Sequence, residues 1–96
     1  MLHPPLAGIR VLDFTQLLPG VVCTMYLADL GVEVTKIEPP GAGDAARGPE
    51  GTPPGGIFHI TNRNKRSLAL DLKQAKAVEI VRLLVADADV VVEGNR

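Results

Sequence analysis

The hydrophobic pattern along the chain alternates between short apolar runs and longer segments with helical spacing. IRVLDF (residues 9–14) and DVVVE (residues 89–93) are apolar and β-branched, as expected of buried strands. VEVTKIE (residues 32–38) and SLALDL (residues 67–72) alternate more loosely between apolar and polar residues. The pattern therefore predicts four short strands.

Two helices are predicted between these strands. PGVVCTMYLADLG (residues 19–31) begins with a proline suited to a first helical turn and ends with a glycine suited to the position past a helix end. Residues 74–86 place apolar side chains at helical spacing, with charged residues largely on the opposite side. A single further helical turn is predicted over residues 57–62.

The longest connection is residues 39–56, which hold most of the glycines and many of the prolines and are predicted to be a loop. The order of strand, helix, strand, loop, strand, helix and strand is typical of an α/β domain with a mostly parallel sheet and flanking helices. The fourth strand is as apolar as an interior strand, yet the sequence stops at Arg96 without anything to cover it. We therefore expect a truncated domain.

Composition limits the possible partners and compartments. The chain has 96 residues, enough for one small domain, and a net charge of −1 from ten basic and eleven acidic residues. This balance gives no global basic field, so we expect neither nucleic acid nor a membrane as partner. The single cysteine, Cys23, excludes an internal disulfide and a multi-cysteine zinc site. With no signal or membrane-spanning pattern, the cytoplasm is the expected location.

Ligands of such sheets bind at the carboxyl ends of the strands, where helix N-termini present free N–H groups and a partial positive charge. The stretches TQLLPG, EPPGAGDAARG, DLK and EGNR follow the four predicted strands in turn. They favour a ligand that carries phosphates. A dinucleotide is the nearest alternative, because Glu38 stands where a ribose-binding acid is expected, but only Gly20 occurs in a turn where G-x-G-x-x-G needs three glycines.

The basic residues of NRNKRSLALDLK (residues 62–73) divide into two groups. Arg63, Lys65 and Arg66 lie before the third strand and are expected to be solvated or paired with surface carboxylates. Lys73 follows the strand and lies next to a helix start, where a cation opposes the helix dipole unless an anion shares the site. This mismatch favours a functional role for Lys73.

Other reactive side chains are better explained by structure than by chemistry. Cys23 lies within an apolar helix and is expected to be buried as a packing residue. His59, beside Phe58, has the surroundings of a structural histidine. Asp13, near the end of an apolar strand, is expected to accept hydrogen bonds from nearby backbone N–H groups. The acidic residues show no metal-ligand spacing, so neither a catalytic residue nor a metal site is predicted.

LADLGVEVTKIEPPGAGD (residues 27–44), NRNKRSLALDLK and ADVVVEGNR (residues 88–96) occur in that order. Together they resemble the opening of the family III CoA-transferases, the CaiB/BaiF group that includes formyl-CoA transferase and α-methylacyl-CoA racemase. The resemblance covers nearly the whole chain but only the front of the family's length. It implies that residues 1–96 are the incomplete N-terminal part of a large, Rossmann-like CoA-binding domain in a homodimer whose two chains are threaded through each other.

The same resemblance places the family's CoA contacts on positions of this chain. Leu18 and Pro19 would lie along CoA with their backbone groups. The family's NKRS motif covers Lys65 and Arg66, for which a structural role is favoured. The contacts implied for the adenine and 3′-phosphate end are Leu70, Asp71, Leu72 and Lys73.

Two further contacts depart from the family's pattern. Gly94, Asn95 and Arg96 match another CoA contact, although E-G-N stands here where members usually have E-N-F. Family members often have an arginine after K-I-E, near the diphosphate, where this chain has Pro39. Arg47 is expected to replace it in part.

The chemistry implied by the resemblance lies outside these residues. The transferases use an aspartate beyond the position of Arg96 that takes up the acyl group, and the racemase uses a histidine and an aspartate, also beyond it. The chain is thus expected to supply CoA-binding residues and no catalytic ones, with acyl-CoA and a carboxylic acid as substrates and no permanently bound cofactor. An acyl-CoA racemase and a non-catalytic nucleotide-binding or interaction module remain the alternatives.

Overall fold

The computed structural model describes residues 4–16, 18–49, 53 and 55–94. Strands and helices alternate along this part of the chain, and a short 3-10 turn, Ala45–Arg47, lies in the long loop. The elements in chain order are β1 (Arg10–Asp13), α1 (Gly20–Asp29), β2 (Glu33–Glu38), α2 (Gly56–Thr61), β3 (Lys65–Ala69), α3 (Ala75–Asp87) and β4 (Val90–Val92).

The described strands form one parallel sheet in the order β3-β2-β1-β4. The chain runs outward from β1 through β2 to β3 and then returns to place β4 on the other side of β1. Val11 of β1 thus pairs with Val34 on one side and with Val90 on the other. The prediction of an α/β fold with a mostly parallel sheet and flanking helices is confirmed.

The two longer helices cover opposite faces of the sheet. Val11 and Val34 form a buried cluster with Ala28 of α1. Successive side chains of a strand point to opposite faces, so Leu12 lies on the face away from α1. Leu84 of α3 lines a groove together with Leu12 on that second face. The reversal in strand order between β1 and β4 accompanies this change of face, as right-handed crossovers require.

The third strand begins earlier than the alternation of residues 67–72 predicted. The turn after α2 contains Asn64 with a φ of 64°, in the left-handed region that asparagine tolerates. This turn brings Lys65 directly into register with Val34 of β2. Leu70 continues the pairing with a hydrogen bond from its N–H to the carbonyl of Glu38 (2.9 Å), and the chain then turns into α3.

Apolar side chains remain exposed on β4, as the sequence led us to expect, and they are also exposed on α3. Val90 and Val91 are exposed, and Leu83 of α3 has an exposed fraction of 73%. Within the described ranges, no helix has the length and apolar character needed to cross a bilayer.

Candidate functional site

A cleft of about 250 Å³ opens at the carboxyl edge of the sheet. Its walls come from the residues after β1, from the end of β2 with the two prolines that follow, and from the turn between β3 and α3. All three meet here because parallel strands end at the same edge of a sheet. The lining residues are Phe14, Gln16, Ile37, Glu38, Pro39, Pro40, Leu70, Asp71, Leu72 and Lys73.

The turn between β3 and α3 supplies four of the predicted contact residues to this cleft. Asp71 organises the turn, since its Oδ1 accepts from the N–H of Lys73 (3.1 Å) and its carbonyl from the N–H of Gln74 (2.9 Å). The side chain of Asp71 therefore stabilises the backbone that presents Leu70, Leu72 and Lys73.

Lys73 lies two residues before the first residue of α3. This helix has no side-chain cap at its N-terminus and no acidic residue in its first turn. Lys73 is exposed, and no described carboxylate forms an ion pair with it. The uncompensated cation and the positive end of the helix dipole together favour an anion at this end of the cleft.

Glu38 forms part of the cleft, but both its oxygens are occupied within the protein. Arg47 donates from Nε to Oε1 (2.9 Å) and from Nη2 to Oε2 (3.0 Å), and Ser67 donates to Oε2 (2.6 Å). Burial acts to raise the pKa of Glu38, but the hydrogen bonds from Arg47 and Ser67 outweigh it and lower the pKa below its usual value. Glu38 is thus an ionised residue that holds Arg47.

Arg47 lies outside the lining of the main cleft. Besides its two hydrogen bonds to Glu38, the guanidinium stacks 4.0 Å from the centroid of the Phe58 ring. Its side chain retains an exposed fraction of 28%.

Leu18 and Pro19 also lie apart from the main cleft. They are joined by a cis peptide bond, and Pro19 occupies the N-cap position of α1 without a side-chain hydrogen bond. Leu18 lines a second pocket of about 260 Å³ together with Val21, Ala46, Ile57 and Thr61. The structure therefore brings Leu70 to Lys73 together in one cleft and places Leu18 in a neighbouring pocket.

The last three predicted contacts follow β4. Gly94 is exposed, two residues after the strand ends at Val92. β4 pairs with β1, so Gly94 comes after the carboxyl end of the strand on the far side of β1 from β2. Asn95 and Arg96 lie outside the described residues.

Behind the cleft lies a buried ionic cluster that sequence reasoning missed. Asp13 accepts from the N–H of Thr15 (2.8 Å) and from the hydroxyl groups of Thr15 (2.5 Å) and Thr24 (2.6 Å). The ammonium of Lys65 lies 3.1 Å from Asp13 Oδ2, and the exposed fractions of the two side chains are 2% and 0%. The prediction that Asp13 accepts from backbone N–H groups is confirmed, whereas the expected surface position of Lys65 is wrong.

The pKa values of this pair move in the same direction. Burial acts to raise the pKa of Asp13, but the hydrogen bonds from Thr15 and Thr24 and the charge of Lys65 together lower it. Burial lowers the pKa of Lys65. The Asp13 carboxylate raises it in part, and the nearby charge of Lys36 lowers it further. The carboxylate has hydroxyl donors as well as a cation, so it is the better stabilised partner.

A second buried ion pair joins Lys36 of β2 to Asp44 in the long loop. The ammonium lies 2.7 Å from Asp44 Oδ2 and also donates to the carbonyl of Thr15 (2.7 Å). The side chains of Lys36 and Asp44 have exposed fractions of 1% and 0%. A signal was present in the sequence, because Lys36 shares a strand face with the buried Val34 and Glu38, where a lysine requires a partner.

Exposure and pairing bear on the other side chains that the sequence singled out. Cys23 is exposed, so the expected buried packing role is wrong. His59 is exposed and makes an edge contact with the Phe58 ring. Arg63 and Arg66 form exposed ion pairs with Asp29 and Glu33, as predicted. Among the described residues, no three histidine, cysteine or acidic side chains are grouped as a metal ion would need.

Comparison of the sequence with known proteins finds one family model and relatives of the same kind. The sequence model of CoA-transferase family III matches residues 6–96. Human succinyl-CoA:glutarate CoA-transferase is 46% identical over 92 residues, which cover 93% of this chain and 21% of the relative. Formyl-CoA:oxalate CoA-transferase of Afipia carboxidovorans is 43% identical over 91 residues, which cover 92% of this chain and 22% of the relative.

Solved structures match over the same span. A CAIB/BAIF family protein from Brucella suis has a TM-score of 0.85 and 40% identity, covering 93% of this chain and 25% of that one. A hypothetical protein from Mycobacterium tuberculosis has a TM-score of 0.79 and 42% identity, with the same coverage of 93% and 25%. The chain thus spans between a fifth and a quarter of the length of these proteins.

Proposed function

The chain belongs to CoA-transferase family III, and we propose that it is the N-terminal, CoA-binding part of an enzyme that moves CoA between an acyl-CoA and a carboxylic acid. Two similar proteins are named as transferases of this kind, acting on succinyl-CoA with glutarate and on formyl-CoA with oxalate. These names support the reaction class. The names do not identify the acids on which this protein acts, so we propose only an acyl-CoA donor and a carboxylate acceptor.

The observation that carries the proposal is the position of Lys73 in the cleft. Its ammonium has no described carboxylate partner, and it lies beside the uncapped N-terminus of α3. CoA carries a 3′-phosphate next to its adenine ring, and a phosphate at this place would satisfy both the cation and the free helix N–H groups. We assign the 3′-phosphate to Lys73.

The apolar side chains of the same turn suit the adenine ring. Leu72 has an exposed fraction of 47% and lies with Leu70 in the lining of the cleft. An adenine between them would cover apolar surface while the N–H of Lys73 stays with Asp71. We therefore assign the nucleotide end of CoA to the turn between β3 and α3.

The remaining contacts continue along the same edge. We assign Leu18 and Pro19 to the pantetheine arm, because four of the five side chains that line the pocket beside Leu18 are apolar. Arg47 uses two of its five N–H groups on Glu38, which leaves three for a diphosphate oxygen. Gly94, Asn95 and Arg96 are retained as a third contact segment.

The covalent step is assigned to residues beyond Arg96. A carboxylate nucleophile that takes up the acyl group divides acyl transfer into two easier steps. Among the described residues, the buried carboxylates of Asp13, Glu38 and Asp44 are all engaged by cations, so none is free for attack. We further propose that the full-length protein is a cytoplasmic homodimer.

A direct assay tests the reaction class. The full-length protein would be incubated in D₂O with succinyl-CoA or with a 2-methyl-branched acyl-CoA, each with a panel of carboxylic acids, and the products would be followed by mass spectrometry. We expect a new acyl-CoA to form in step with loss of the donor, without release of free CoA. Deuterium uptake at the α-carbon of a branched acyl-CoA, with no transfer to any acid, would instead indicate a racemase.

A further inference from the structure

We propose that Lys36 is a positioning residue for the cleft, because one buried ammonium group contacts two segments whose neighbouring residues form walls of the cleft. The inference rests on the proposed function, since the cleft is taken to be the CoA site. It assigns to Lys36 a role in ligand affinity that is separate from its role in stability.

The first wall is the exit of β1. The carbonyl of Thr15 accepts a hydrogen bond from Lys36 Nζ at 2.7 Å, and its neighbours Phe14 and Gln16 line the cleft. Asp13 holds the same residue from its other side, through the N–H and the hydroxyl of Thr15. The backbone of this wall is therefore held at both the N–H and the carbonyl of Thr15.

The second wall is the segment that follows β2. Asp44 Oδ2 lies 2.7 Å from Lys36 Nζ, and Asp44 Oδ1 accepts from the N–H of Ala46 (2.9 Å), which caps the 3-10 turn. Pro39 and Pro40, between β2 and Asp44, line the cleft. Lys36 thus links this segment to Thr15, in addition to the hydrogen bond from the Asp44 N–H to Glu38 Oε1 (3.4 Å).

A role in stability alone does not require this arrangement. A buried ion pair is often no more stabilising than an apolar pair of similar volume. Only a hydrogen-bond donor at position 36, however, can hold the Thr15 carbonyl. Because the ion pair and the carbonyl contact use different partners, substitutions can separate them.

The test uses four forms of the full-length protein: the natural one, Asp44→Asn, Lys36→Gln/Asp44→Asn and Lys36→Met/Asp44→Asn. Asparagine keeps an acceptor for the Ala46 N–H and removes the charge. Glutamine and methionine have similar size, but only glutamine can donate to Thr15. Thermal unfolding and titration calorimetry with CoA and with dephospho-CoA would be measured for each form.

We expect the variant with the lower Tm to keep its CoA affinity and the variant that regains Tm to lose it. Asp44→Asn leaves the Lys36 charge unpaired and should lower the Tm. CoA affinity should stay within about twofold, because the N–H of position 44 still bonds to Glu38 and its side-chain oxygen still accepts from the Ala46 N–H. Lys36→Met/Asp44→Asn should regain Tm. It should bind CoA and dephospho-CoA about tenfold more weakly, because methionine makes no hydrogen bond to Thr15 and this loss affects both ligands equally. Lys36→Gln/Asp44→Asn should bind both ligands almost as well as the natural protein.

Other outcomes overturn the inference. Equal CoA affinity in the glutamine and methionine forms would show that the Thr15 contact does not position the cleft. A methionine form that fails to fold while the glutamine form folds would assign the contact to the fold instead. If the natural protein bound neither ligand, the proposed function itself would be wrong, and this result is distinguishable from the other two.

Discussion

Lys65 and Asp13 form an ion pair inside the fold, with the ammonium 3.1 Å from Oδ2 and both side chains almost completely buried. The two residues open β3 and close β1, strands that are separated in the sheet by β2. Lys65 also donates to the carbonyl of Val21 in α1 (3.1 Å) and to Asn62 Oδ1 (3.0 Å). One lysine therefore ties the start of β3 to both β1 and α1.

Loss of this lysine should destabilise the protein strongly. Lys65→Met leaves the Asp13 carboxylate buried without its cation, which typically costs about 3–5 kcal/mol. Arg66→Met is the matched control, because Arg66 is the next residue and its side chain is 78% exposed beside Glu33. Its loss should cost only about 0–1 kcal/mol. Chemical denaturation of both variants would test this, and equal losses would contradict a structural role for Lys65.

Acid should weaken the fold through the same carboxylate. The pKa of folded Asp13 lies below its ordinary value of 3.8, so the unfolded state binds more protons as the pH falls. The stability that Asp13 contributes is present above the unfolded pKa and is lost as pH falls through the folded pKa. Glu38, whose pKa is also lowered, acts in the same direction.

The measurement is the Tm between pH 7 and pH 3 for the natural protein and for Asp13→Asn. The variant should start from a lower Tm and lose less of it on acidification, because asparagine does not titrate. Two curves that fall in parallel would show that Asp13 does not contribute to acid sensitivity.

The start of α1 should tolerate no side chain at Gly20. A Cβ placed there would lie 2.6 Å from Thr15 Cγ2 and 2.8 Å from Thr15 Cβ, and Thr15 is held by Asp13. Gly20→Ala should therefore cost about 1–3 kcal/mol. Gly56→Ala is the control, since nothing lies within 4 Å of its Cβ and the position is helical. It should be neutral or slightly stabilising, and equal effects would contradict the close approach of α1 to Thr15.

The sequence was sufficient for the fold class because the strands are short apolar runs between clear turn residues. It also placed Asp71 to Lys73 at a carboxyl edge, since a segment that follows a strand and precedes a helix must lie there. The start of β3 was harder to predict. Lys65 and Arg66 are polar and do not have the apolar pattern of a strand, although both pair with β2.

Side-chain partners could not be predicted from pattern alone. Asp13 and Lys65 are far apart in sequence, and their contact depends on how three strands align. Cys23 was misplaced because α1 is apolar around most of its surface, so periodicity does not distinguish its buried side from its exposed one. Thr24 is buried there by its hydrogen bond to Asp13, while Tyr26 is exposed.

The assignment of the CoA 3′-phosphate to Lys73 can be tested by titration calorimetry on the full-length protein. Lys73→Ala should weaken CoA about ten- to a hundredfold, since a charge-assisted contact is worth roughly 1.5–3 kcal/mol. The same variant should bind dephospho-CoA almost as well as the natural protein. Arg66→Ala, which removes an exposed cation at the opposite end of β3, should leave both affinities unchanged. Equal losses for CoA and dephospho-CoA in Lys73→Ala would contradict the assignment.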